Sequence, residues 1–112
     1  MRITLSVNEA LDQKQKLAGL YVSITGLLHF EFEDVAIYHS PASQLRTDYD
    51  SSIWLEVGQG NLRFNPSAYE AMHGKLVVAK GTLLLPDPHI GGCGHMSLWP
   101  ALLVIRTLER AC

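Results

Sequence analysis

Cysteine, clustered basic charge and long apolar runs are all scarce in this 112-residue chain, and each scarcity removes a class of function. Its two cysteines, Cys93 and Cys112, make no disulfide framework of the kind that staples small secreted domains, and both read as reduced thiols. No CxxC pair occurs, although paired knuckles are how structural zinc sites usually announce themselves. The apolar stretch SLWPALLVI is far shorter than the roughly 20 residues of a membrane-spanning helix, and it contains Pro100. The polar opening MRITLSVNEALDQKQK has no apolar signal core, so a cytoplasmic protein with no membrane partner is expected.

Charge is also sparse, at 18% of residues, with a net value of −2. The nine Lys and Arg residues are scattered, and only Lys14 and Lys16 sit close together. Proteins that hold nucleic acid backbones concentrate their cations, so this dispersal disfavours nucleic acid as a partner. A phosphate-cradling G-x-x-x-x-G-K loop is missing, since GKLVVAKG lacks the spacing. What remains is a 47% hydrophobic chain of the size of one folded domain, spanning residues 1–112.

The periodicities that are present belong mainly to strands. Ser6 and Glu9 form a capping-box pattern that predicts a short helix through NEALDQKQ, with Ala10 and Leu11 facing the body. Leu20, Val22 and Ile24 then alternate against Tyr21, Ser23 and Thr25, which predicts a half-buried strand. Gly26 interrupts that run as a bulge or bend would, and LHFEFE continues it with Leu28, Phe30 and Phe32 on one face. DVAIYHS reads as the second strand, after an acidic turn at Glu33 and Asp34. IWLEV is the third, with Ile53, Leu55 and Val57 inward and Trp54 and Glu56 outward. Asn65 and Pro66 start a short helix ended by Gly74. KLVVAKGTLLL and LWPALLVIRTLE are the fourth and fifth strands, joined by the turn-rich PDPHIGGCGH.

This order predicts a mainly β fold: a five-stranded OB-fold-like barrel with a short N-terminal helix and a helix between strands three and four. The stretches LYVSITGLLHFEFEDVAIYHSP, SIWLEV, GKLVVAKGTL and GHMSLWPALLVIRTLE resemble small bacterial OB-fold proteins of unestablished function. The family pattern carries glycine where this chain has Ser97 and Ala101. The resemblance implies the fold and no reaction.

Three constellations carry chemistry. His89, Cys93 and His95 offer an H-x3-C-x-H spacing that zinc accepts, with His73 or a water as a fourth ligand; a plain glycine-rich hinge is the competing reading. His29, Glu31 and Glu33 alternate on one strand face, where two carboxylates and an imidazole suit a divalent metal, acid–base work or simply a solvated surface. Trp54 turns outward on the strand that OB-folds use as a ligand platform, and Tyr21 and Tyr38 are expected to share its face. Cover from the N-terminal helix or from PASQLRTDYD is the alternative for Trp54. Trp99 and Met96 are expected to plug one end of the barrel, and Cys93 to be exposed between its glycines. No spacing supplies a nucleophile with a base and an orienting acid.

The function expected is a non-catalytic binding module, without a cofactor, that contacts another protein through Tyr21, Tyr38, Trp54 and Glu56. The alternatives are single-stranded nucleic acid binding, and a metal-binding domain or metal-dependent enzyme using residues 89–95. A homo-oligomer that caps strand edges is also open.

Overall fold

The structure, a computed structural model, describes residues 4–31, 33–57, 65–94 and 97–111. Along the chain lie β1 (Thr4–Ser6), α1 (Val7–Asp12), α2 (Lys14–Leu17), β2 (Tyr21–Glu31) and β3 (Asp34–Tyr38). After a 3-10 turn at Ala42–Gln44 come β4 (Ser52–Glu56), α3 (Pro66–Met72), β5 (Leu76–Leu84) and β6 (Leu102–Arg110). The five strands expected from periodicity are β2 to β6. The addition is β1, which runs parallel to β2 and is too short for an alternation to show in sequence.

Local capping follows the residues. Glu9 N–H donates to Ser6 Oγ at 3.2 Å, and Ser6 N–H donates to Glu9 Oε1 at 2.9 Å, so the capping box closes reciprocally. The helix expected over residues 8–15 breaks at Gln13 into α1 and α2, and α1 buries Val7, Ala10 and Leu11. Asn65 Oδ1 accepts from the backbone of Ser67 and Ala68 at 3.0 and 3.4 Å, with Pro66 in the first helical position.

The first part of β2 pairs antiparallel with β5, from Tyr21↔Thr82 to Leu27↔Leu76. Its second part pairs antiparallel with β3, from Leu27↔Tyr38 to Glu31↔Asp34. β3 then pairs with β4, β4 runs parallel to β6, and β6 returns to β5. The sheet order β2-β3-β4-β6-β5 therefore closes on β2 as a ring, with β1 on its margin. Register runs unbroken through Gly26↔Val77, so of the bulge or bend expected at Gly26 the bulge is not there. The irregularity lies between Lys80 and Gly81, opposite Arg106.

Alternation sends one side of every ring strand inward. Ile24, Leu28, Ile37, Ile53, Leu55, Val77, Leu83, Leu103 and Ile105 are each 1% exposed or less. At about 2 kcal/mol for each fully buried aliphatic side chain, this core dominates the favourable side of folding. Leu20, expected inside, is 53% exposed because it precedes β2.

A Cβ on Gly81 would collide with the Val104 carbonyl oxygen and lie 3.0 Å from Ile105 Cα. Both obstacles are backbone, which cannot swing aside. Gly81→Ala is expected to lose about 3 kcal/mol of stability, read as a lower midpoint in urea unfolding.

Candidate functional site

The register lays a row of outward residues across four strands: His29 on β2, Ala36 on β3, Trp54 on β4 and Leu102 on β6. Ala36 is the small member, and the space above it is taken by Trp99. That indole is 2% exposed, with its ring 4.8 Å from Trp54 and 4.5 Å from Tyr49. Ala36, Cys93 and Trp99, with Tyr38, Tyr49, Trp54 and Leu102 around them, form a second apolar cluster outside the ring. Trp99 therefore does not plug an end of the ring. The interior was already filled by aliphatic residues from every ring strand and from α1.

The connection from β5 to β6 brings Trp99 there. Cys93 N–H donates to Trp99 O at 2.8 Å, Trp99 N–H donates to Cys93 O at 3.0 Å, and Trp54 N–H donates to Ala101 O at 3.1 Å. Gly94 has φ 74°, and a Cβ there would run into the Trp54 ring. Ser97 has φ 55°. Trp54 is thus half-covered, with this connection against its ring. Tyr49 of PASQLRTDYD packs on Trp99 in the same cluster.

The glycine-rich stretch consequently acts as a cover. Cys93, expected to be exposed, is 5% exposed, and burial pushes its thiol above the ordinary range. A thiol held protonated is a poor nucleophile and a poor metal ligand. His89 is exposed, with its N–H on Asp87 Oδ1 at 2.8 Å. His95 and Met96 lie outside the described residues. Among the described residues no group of three or more His, Cys, Asp or Glu is disposed to hold a metal.

A polar network borders the cluster. Tyr38 O–H donates to the Asp34 carboxylate, 3.1 and 3.0 Å from its two oxygens, and His29 Nδ1 lies 3.3 Å from Asp34 Oδ2. The His29 ring packs 4.3 Å from Tyr38 and 5.6 Å from His73. His73 Nδ1 accepts from Phe30 N–H at 3.0 Å, which places the neutral ring's proton on Nε2, 3.6 Å from Glu31 Oε1. That tautomer leaves no lone pair for a metal. His29 and Glu31 thus meet as their alternation requires. Glu33 does not join them: it sits at the hairpin turn with φ 69°, and Asp34 takes the place facing His29. Sequence reasoning missed Asp34 in this role, and it considered His73 only as a spare zinc ligand.

Of the four expected contact residues, Tyr38, Trp54 and Glu56 lie on the outer side of adjacent strands β3 and β4. Tyr21 stands apart. It opens β2 opposite Thr82, six residues from Leu27, which faces Tyr38, and six residues of strand is about 20 Å. The separation follows from β2 serving β5 with its first part and β3 with its second.

No family model and no curated protein matches this chain. A solved structure, of "a putative aspartyl-tRNA synthetase from Leishmania major Friedlin", is similar over 97% of this chain with a TM-score of 0.54 and 13% identity. The match takes up 20% of that protein, so this chain spans about a fifth of its length. Similarity at that identity concerns the fold alone. None of the described helices is long and apolar enough to cross a membrane.

Two outcomes follow from these environments. Burial, and then the adjacent Asp34 carboxylate, push the Tyr38 hydroxyl well above its ordinary value. The stabilisation this implies is complete below the unfolded value of about 10 and is lost as pH rises through the folded one. Tyr38→Phe should cost about 1 kcal/mol at neutral pH, a gap that narrows at alkaline pH in paired urea titrations. In a Cys112→Ser background, Cys93 should react with a disulfide reagent far more slowly in the folded protein than after unfolding. Equal rates would mean that the cover does not hold.

Proposed function

We propose that this chain is a cytoplasmic, non-catalytic OB-fold module that engages another protein through the outer face of β2, β3 and β4. The strand order supports the fold: three meandering strands, a helix, then two strands, closed with the third beside and parallel to the last. One observation carries the function. The outward residues of paired β2, β3 and β4 are Leu27, His29 and Glu31, then Asp34, Ala36 and Tyr38, then Ser52, Trp54 and Glu56. They include three carboxylates and no lysine or arginine. A phosphate backbone laid there would meet repulsion, whereas a basic protein segment would meet complementary charge.

Within that face, Tyr38, Trp54 and Glu56 are the contact residues, and Tyr21 falls outside it. Trp54 supplies a flat apolar surface that also attracts cations, and Glu31 and Glu56 supply selectivity. The nucleic acid reading draws on the likeness to a fragment of a tRNA synthetase, but the charge of the face opposes it. The metal reading is weakened by the burial of Cys93.

The test is capture of a partner on the immobilised chain, its identification, and titration of the purified partner against wild type and Trp54→Ala. Loss of affinity of about tenfold or more is expected, with the fold retained by circular dichroism. Unchanged affinity would sink the proposed face. Saturable binding of a labelled single-stranded oligonucleotide at low salt, lost steeply as salt rises, would establish the nucleic acid reading in its place.

A further inference from the structure

We propose that the groove between α3 and β6 is a binding site for a small organic monocarboxylate, held by Arg106 at its polar end. The groove has a volume of about 210 Å³ and is lined by α3 and the second half of β6. Tyr69, Met72 and Leu108 form its apolar walls, and Asn65, Arg106 and Thr107 are its polar residues.

The bulge in the β5–β6 pairing shapes it. Lys80 faces Thr107 and Gly81 faces Ile105, which leaves Arg106 without an opposite residue. Simple alternation would turn one of Arg106 and Thr107 outward; the bulge leaves both exposed, between buried Ile105 and half-buried Leu108. Gly81 makes that close crossing feasible, since the Val104 carbonyl occupies the place of its missing side chain.

The charge is one-sided. Arg106 has no ion-pair partner among the described residues, and no acidic residue lines the groove. Asn65 spends its Oδ1 on capping α3, which leaves the amide NH2 as its available group. Arg106, Asn65 and the Thr107 hydroxyl are therefore all donors, the complement of a carboxylate. A cavity of about 150 Å³ holds a benzene ring, so this groove accommodates one ring or a short chain with its carboxylate. Its mostly apolar lining disfavours inorganic phosphate, which has no apolar body to bury.

Benzoate is the probe, followed by amide chemical shifts of the isotope-labelled full chain, with benzyl alcohol and inorganic phosphate as controls. Benzoate should saturate with a dissociation constant of about 0.1–1 mM, moving the amides of Ala68, Met72, Thr107 and Leu108. Benzyl alcohol should bind about tenfold more weakly, and Arg106→Gln should weaken benzoate by about tenfold while leaving the alcohol unchanged. Ala68→Phe, which fills the groove with Arg106 intact, should abolish both, and Trp54→Ala should alter neither. The proposal is overturned if folded protein shows no saturable shift at those amides. It is also overturned if benzoate and the alcohol bind equally, if phosphate saturates the same amides, or if Arg106→Gln binds benzoate as wild type does.

Discussion

One eleven-residue strand serves two different neighbours within the ring, and the arrangement of the molecule depends on that division. β2 gives its first half to β5 and its second half to β3, with Leu27 opposite both Leu76 and Tyr38. A strand shared in this way turns an open sheet into a ring, since one of its edges takes β5 and the other takes β3. Closure also removes the long unpaired edges that invite aggregation, and leaves the three-residue β1 at the margin. The inward residues then have one enclosed space to fill, and aliphatic side chains fill it.

A filled interior sends the remaining large aromatics outside. Trp99 finds the shallow place above Ala36 and draws the β5–β6 connection down over β3 and β4. The backbone exchange between Cys93 and Trp99 holds that connection as a narrow ladder, and glycine at position 94 lets it approach the Trp54 ring. The indole Nε1 of Trp99 is buried without an acceptor among the described residues. Such a donor costs about 1–3 kcal/mol, which makes the cover less tightly bound than its apolar contacts alone would make it. The aromatic surface left exposed on this face is therefore the uncovered part of Trp54 and Tyr38.

Legibility differed by residue for reasons that are physical. The caps at Ser6 and Asn65 were readable because each is a contact between residues two or three apart. Inward Ile53 and Leu55 were readable because a strand has a period of two. The same rule placed His29, Glu31 and Glu33 on one face, and it failed at Glu33. A hairpin turn ends the alternation, and the turn's position depends on which residue pairs across it. His73 approaches His29 through the packing of α3 beside β2, a contact between residues 44 apart in sequence that no spacing announces.

Sequence alone determined the succession of the five ring strands with the helix between β4 and β5, the side of each ring strand that faces the core, and the absence of a concentrated basic footprint. These are local or compositional properties, carried by neighbouring residues without reference to the rest of the chain. Tertiary structure alone decided that Tyr21 stands apart from Trp54 and that Cys93 is buried. It also decided that Trp99 lies outside the ring, and that Arg106 meets Asn65 and Thr107 at one groove. Each of those outcomes depends on strand closure, the register at Lys80 and Gly81, or the path of a connection. Such features arise from pairings between distant segments, where the energy of a residue depends on what the fold places against it.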